Sequence, residues 1–229
     1  MNGGTTISST LAAASYTIDG SSCKGLSAPA GYAISYVGVN DGFVVNPAPT
    51  SQSIRSVPSG PVLAGSPVAY FTSVSKGPVR GTLAGTVSFT DDGAPIPGCS
   101  NLHLVLGLAL CVTSFPSGGS YTIAATYAGD PDFASSTASL TQVVYKRPVI
   151  TSANHASEAL GKHFTFQVTA SGYPAPTFSE SGALPKGVGL SSSGSLSGTA
   201  TKSGTYAITI FATNAAGTTN QGFTLVIQR

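Results

Sequence analysis

Three residue types in this sequence could carry chemistry. The histidines are His103, His155 and His163, the cysteines are Cys23, Cys99 and Cys111, and the chain has 8 carboxylate side chains. A histidine held against a nucleophile or a metal would give acid–base or Lewis-acid chemistry. The spacing supports neither. There is no His-Glu-x-x-His, no Gly-x-Ser-x-Gly and no phosphate-binding loop ending in Gly-Lys-Ser or Gly-Lys-Thr. His103 stands in an apolar stretch, far in sequence from His155 and His163. We read all three as surface or half-buried side chains and expect no catalytic residue, no metal ligand and no cofactor site.

Asp130-Pro131-Asp132 has the look of a calcium fragment. Two carboxylates are few for a cation that takes about six to eight oxygens. A turn whose aspartate accepts backbone hydrogen bonds is the expected role, and cation binding by Asp130 and Asp132 stays open at this level. Cys99 and Cys111 lie 12 residues apart, across what are expected to be antiparallel strands of one module. A disulfide between them would close a short loop and contribute about 2–3 kcal/mol on the chain-entropy model. A metal would need further ligands at ligand spacing, which are missing, and two buried thiols are the remaining alternative. Cys23 is left over. Leu184-Pro185-Lys186-Gly187 has the outline of a cell-wall sorting signal but lacks its Thr-Gly.

Sugar-binding faces offer aromatic platforms. The chain has no Trp, so the candidates are Tyr16, Tyr32, Tyr36, Tyr70, Tyr127, Tyr145 and Tyr173. Several of them alternate with core residues, and such tyrosines are commonly buried. Tyr173, beside Pro174 and Pro176, is the one expected to stand exposed as a contact.

Composition narrows the function classes. The 229 residues carry a formal net charge of +2 and only 8% charged residues, against about 25% in ordinary soluble domains. Nucleic-acid binding needs clustered Lys and Arg, and a charge of +2 spread over 229 residues gives no such footprint. The apolar run from Leu102 to Val112 is broken by His103 and Gly107 and is far short of a membrane span. No Lys or Arg precedes Lys24, and Leu11 to Ala14 is too short for the apolar part of a signal peptide. We therefore expect the C-terminal piece of a longer exported chain.

The elements that must position these residues are strands. Abundant Ser, Thr, Val, Gly (28) and Pro (15) suit short strands and turns rather than helices. Gly119 to Tyr127 echoes Gly204 to Ala212. Each opens Gly-x-Tyr and then alternates apolar and polar side chains, which predicts a strand with one buried face. A Tyr just after a Gly turn has the form of a tyrosine corner in an immunoglobulin-like sandwich. Further strands are expected at Pro67 to Ser75, Gly85 to Thr90, Leu102 to Leu106, Leu108 to Ser114, Leu140 to Tyr145, Phe164 to Val168, Tyr206 to Thr213 and Phe223 to Ile227. Hairpin turns are expected at Asp91-Asp92-Gly93 and Asn40-Asp41-Gly42. The fold class is all-β, with tandem immunoglobulin-like β-sandwiches. The expected domains are residues 1–46, a partial β module, then 47–146 and 147–229, each a sandwich.

Residues 147–229 resemble an immunoglobulin-like module of bacterial surface proteins and haemagglutinin-like adhesins. The resemblance rests on Leu184-Pro185-Lys186-Gly187-Val188-Gly189-Leu190, Gly194-Ser195-Leu196-Ser197-Gly198-Thr199, Gly204-Thr205-Tyr206 and Ala212-Thr213-Asn214-Ala215-Ala216-Gly217. Phe178 stands where family members often carry a Trp. Residues 51–146 resemble bacterial Ig-like repeats through Gly85-Thr86-Val87-Ser88-Phe89, Pro95-Ile96-Pro97-Gly98-Cys99, Gly119-Ser120-Tyr121-Thr122-Ile123, Ala125 to Asp130 and Phe133. Residues 15–47 resemble the tail of a Gly-rich, mostly-β repeat. The resemblance implies a Cys99–Cys111 disulfide, and hence an oxidising compartment. It also implies a non-catalytic stalk, spacer or adhesive module of an exported surface protein, with a cell-surface protein or glycan as partner. The rival expectations are accessory binding domains of an extracellular enzyme, or a virion decoration protein.

Overall fold

The computed structural model describes residues 14–17, 34–36 and 42–229. Cys23, Tyr32 and the turn expected at Asn40-Asp41 lie outside the described residues. β1 (Ala14–Thr17), β2 (Ile34–Tyr36) and β3 (Gly42–Val45) form an antiparallel sheet of order β1-β3-β2. Two compact units emerge. The first takes in the described residues up to Ser59, Pro67–Thr113 and Tyr121–Gln142. The second comprises Gly60–Ser66, Ser114–Ser120 and Val143–Arg229.

The first unit packs two sheets. Its strands continue as β4 (Ser51–Val57), then, after β5 (Val62–Leu63) in the second unit, β6 (Pro67–Ser75), β7 (Thr86–Asp91), β8 (Ala94–Pro95), β9 (Leu102–His103), β10 (Leu108–Ser114), β11 (Gly119–Tyr127) and the start of β12 (Ser136–Ile150). One sheet runs β10-β6-β4. The other runs β12-β11-β7-β8, with β9 on β7. Strict alternation puts Val68, Tyr70, Thr72 and Val74 of β6 inside. They share the core with Val87 and Phe89 of β7 and with Ile123, Ala125 and Tyr127 of β11. Asp92 and Gly93 both have positive φ (45° and 87°), the backbone of the tight hairpin turn that Asp-Gly favours. The strand expected from Leu102 to Leu106 stops at His103, because the chain reverses early. Val105 and Leu108 exchange backbone hydrogen bonds of 2.9 and 3.0 Å around Leu106-Gly107.

In the second unit β5 pairs in parallel with β12. The strands after it are β13 (His155–Ala159), β14 (His163–Gln167), β15 (Ala170–Tyr173), β16 (Thr177–Gly182), β17 (Val188–Leu190), β18 (Ser195–Thr199), β19 (Gly204–Asn214) and β20 (Gly217–Gln228). Sheets of order β13-β20-β19-β16 and β14-β18-β17 enclose Phe164, Val168, Leu196, Ile208, Ile210, Phe223, Leu225 and Ile227. The β19–β20 hairpin is the longest ladder, in register from Gly204↔Ile227 to Asn214↔Gly217.

The sequence pattern missed β17 and β18. Their outward positions are Gly and Ser, so alternation is faint, and only Leu196 is fully buried. Close backbone approach explains the composition. Gly198 has φ 147°, and a Cβ there would lie 2.0 Å from the Gly187 carbonyl oxygen. That same oxygen accepts a hydrogen bond from the Thr199 N–H at 3.0 Å.

Candidate functional site

Cys99 and Cys111 form a disulfide with a Cα–Cα separation of 5.3 Å, and both are almost wholly buried. Cys111 is on β10. Cys99 follows β8 in a non-strand segment, and its carbonyl accepts from Phe89 N–H of β7 at 2.9 Å. The bond therefore joins the two sheets of the first unit. The antiparallel strands expected from sequence to carry the two cysteines are not both present, because Cys99 lies outside any strand.

Asp130 organises the turn after β11. Its Oδ1 accepts the N–H groups of Asp132 (2.9 Å) and Phe133 (2.8 Å). Its Oδ2 accepts the Ala84 N–H (2.9 Å) and the Tyr127 hydroxyl (3.0 Å). A carboxylate has about four lone-pair sites, and four donors occupy them. Burial pushes this carboxyl upward, but the backbone donors and the Tyr127 hydroxyl outweigh it and hold it below its ordinary value. Burial first, then the bond to Asp130, raises the Tyr127 phenol. The Tyr127-Ala128-Gly129-Asp130 run with Phe133 is thus a hydrogen-bonded plug. It gives Asp130 a structural partner set rather than a cation's, and the buried Phe133 ring closes the core beside it.

A second acidic feature lies at the β7–β8 turn. The Asp92 carboxylate accepts Thr122 N–H at 2.8 Å. Asp91 is partly buried, and burial, followed by the charge of Asp92, raises its carboxyl. The wholly buried Tyr70 phenol is raised by burial and then by Asp91.

His103, His155 and His163 fall on β9, β13 and β14 and are all exposed. Their ladder partners are Thr86, Thr224 and Thr199 respectively. Among the described residues no group of three or more His, Cys, Asp or Glu is placed to hold a metal ion. Tyr173, expected to be exposed, is half-buried instead. It ends β15, where it pairs with Lys146 of β12, and its Cβ stands over Gly118. The proline that was expected to free it fixes a cis Tyr173–Pro174 bond. Asn214 ties this region down. Its Nδ2 donates to the carbonyls of Lys146 (2.9 Å) and Pro174 (2.8 Å), and its Oδ1 accepts Ala216 N–H (2.8 Å). Tyr206 donates its hydroxyl to the Lys202 carbonyl at 3.2 Å, four residues upstream. That is the bond of a tyrosine corner.

An open groove of about 430 Å³ in the second unit was not legible in the sequence. Leu63, Pro116, Tyr145, Lys146, Arg147 and Val149 line it. It gathers residues distant in the chain, so no local motif marks it. Among the described residues no helix is long and apolar enough to cross a membrane.

Two disulfide- or hairpin-closed sandwiches with a tyrosine corner define the class as immunoglobulin-like β-sandwich. Residues 55–145 match the family described as Bacterial Ig-like domain (group 3), and residues 147–228 match the one described as Putative Ig domain. The chain carries these two domains in that order. No curated protein matches the sequence. Among solved structures it is similar to the three-domain titin fragment I67–I69, an E-to-A variant, at 15% identity. That match covers 89% of this chain and 84% of that one, with a TM-score of 0.54. It is similar to Sidekick-1 immunoglobulin domains 1–4 at 19% identity, covering 79% and 49%, with a TM-score of 0.50. These likenesses show the fold. A putative alpha-galactosidase of Bacteroides fragilis is 30% identical over 36% of this chain, with a TM-score of 0.34. The chain spans only 18% of that enzyme's length.

Proposed function

We propose that this chain is a non-catalytic structural or adhesive part of an exported, multi-domain bacterial surface protein, with residues 47–146 and 147–229 as its two Ig-like domains. The observation that carries the reading is the Cys99–Cys111 disulfide inside a bacterial Ig-like domain. Such bonds persist in oxidising compartments and are rare in the cytosol. Each sandwich buries its own core, which suits a module that carries something at a distance from the cell. The test is thiol mapping by mass spectrometry on protein from its native cells, alkylated before reduction. A Cys99–Cys111 bridge in all molecules supports export. Fully alkylated Cys99 and Cys111 would sink it and favour an internally assembled structural part.

A second reading, ligand binding, is favoured by the groove with Tyr145, Lys146 and Arg147. Its chemistry fits an acidic sugar, with a ring against the tyrosine and a carboxylate on the cations. Arg147→Ala should abolish retention on immobilised acidic glycans if this reading holds.

A further inference from the structure

The groove of the second unit presents three kinds of side chain that one ligand class satisfies together. Lys146 and Arg147 are exposed on its wall, and that wall carries no Asp or Glu among the described residues. Two cations without a counter-charge call for an anion. Gly217 leaves room for one of them. A Cβ there would stand 2.9 Å from Arg147 Nη1, so the guanidinium lies along the β19–β20 turn. Tyr145, half-buried, precedes the two cations in the chain. The rest of the wall is largely aliphatic: Leu63 and Val149 are 38% and 54% exposed, and Pro116 is exposed beside them. The backbone here is already engaged. β12 pairs with β5 at Tyr145 and with β15 at Lys146 and Val149. The N–H groups of Ala64, Gly65 and Ser66 donate to the carbonyls of Tyr145, Phe115 and Leu63 at 2.8, 2.8 and 3.0 Å. The Lys146 carbonyl accepts Asn214 Nδ2 at 2.9 Å. An extended peptide binds by adding a strand to a free edge, and β12 offers it none at this point.

We propose that this groove takes a single acidic sugar unit that also bears an N-acyl group. The inference rests on the ligand-binding reading of the groove and narrows its ligand. The carboxylate goes to Lys146 and Arg147, and the sugar ring to Tyr145. The acyl methyl goes to the wall of Leu63 and Val149. A plain uronic acid would set hydroxyls against that wall, where they lose water without gaining a partner. An acyl methyl covers the same aliphatic surface and gives up no hydrogen bond. Size agrees with one sugar unit rather than a chain. The groove, about 430 Å³, is at the small end of ligand sites, which run from about 300 to 1,000 Å³. An open groove with so few contacts binds weakly, with a Kd on the order of 1 mM.

The test is a titration of the isotope-labelled full chain, read from its amide NMR shifts. The probes are the methyl glycosides of N-acetylneuraminic acid, glucuronic acid and N-acetylglucosamine. The first carries acid and acyl group, the second the acid alone, the third the acyl group alone. Both acids should shift the amides of Leu63, Ala64 and Lys146, and the acid-free sugar should leave them in place. The N-acyl acid should bind about tenfold more tightly than the glucuronide, the low end of what one apolar group gains in a fitting pocket. Two variants accompany the parent, each checked for folding by circular dichroism. Val149→Ser strips the exposed methyls and should remove that preference. Arg147→Ala should lose both acids. Equal affinity for the two acids in the parent, or a preference that survives Val149→Ser, would overturn the N-acyl inference and leave the acidic-sugar reading standing. Groove amides that respond to neither acid would remove that reading and the inference with it. Acetylated glycyl-leucine brings a carboxylate and an aliphatic side chain to the same wall. If it bound more tightly than either sugar, the groove would belong to a peptide C-terminus and the proposal would fall.

Discussion

Two aspartates of the first unit act on its stability in opposite senses. Asp130 has its carboxyl held down, because four donors outweigh the effect of burial. A carboxylate depressed in the folded state adds stability above its unfolded value, near 3.9, and that stability is lost as pH falls through the lower folded value. Asp130→Asn keeps one acceptor oxygen and turns an N–H₂ toward a pair of donors, one of which is the buried Tyr127 hydroxyl in one orientation. The expected loss at pH 7 is about 2–4 kcal/mol, read from urea unfolding, and it should shrink toward pH 3. Asp91 is raised by burial and then by Asp92, so its charged form costs stability above its folded value, and the cost vanishes below the unfolded one. Asp91→Asn should therefore raise the melting temperature at pH 7 and leave it unchanged near pH 3. A variant that lowers the melting temperature at pH 7 would show that the Asp91 carboxylate is favourably paired.

Elements were legible where side chains alternate strongly and illegible where backbone geometry sets the composition. Val68, Tyr70, Thr72 and Val74 announce β6 at its observed bounds, Pro67–Ser75. Tyr206, Ile208 and Ile210 announce β19 in the same way. In β17 and β18 the signal is lost, because Gly187 and Gly198 are needed for close approach rather than for a buried face. The break at Gly107 was legible, but the strand before it, expected to reach Leu106, ends at His103, because the tight turn takes in Leu106 as well. Of the candidate site residues, the cysteine pair was reachable only through family resemblance, since spacing alone left free thiols open. The exposure expected of Tyr173 failed because its tertiary partners, Lys146 and Gly118, are remote in sequence. The β18 geometry makes a sharp prediction. Gly198→Ala must move the Gly187 carbonyl away from 2.0 Å, which should cost at least about 3 kcal/mol. Chemical denaturation monitored by tyrosine fluorescence would read it. A loss below about 1 kcal/mol, the ordinary range of a mild substitution, would show that the β17–β18 hairpin yields locally.

At the scale of the whole chain, few charges and, among the described residues, one covalent cross-link divide the sources of stability. All three cysteines precede residue 147, and the disulfide joins the two sheets of the first unit. The second unit relies on its buried aliphatic and aromatic core and on the long β19–β20 ladder. Reduction should therefore act on one unit alone. Losing the cross-link across a loop of this size removes about 2–3 kcal/mol on the chain-entropy model, equivalent to a roughly 30- to 160-fold rise in exchange through global opening. Hydrogen exchange with and without reductant, followed by peptide mass spectrometry, would resolve it. Peptides of β7, β10 and β11 should exchange faster by about that factor, while those of β19 and β20 keep their rates. Equal acceleration in β19 and β20 would mean that the second sandwich borrows stability from the first. A stalk of independently folded modules requires the opposite, because each module must survive the opening of its neighbour.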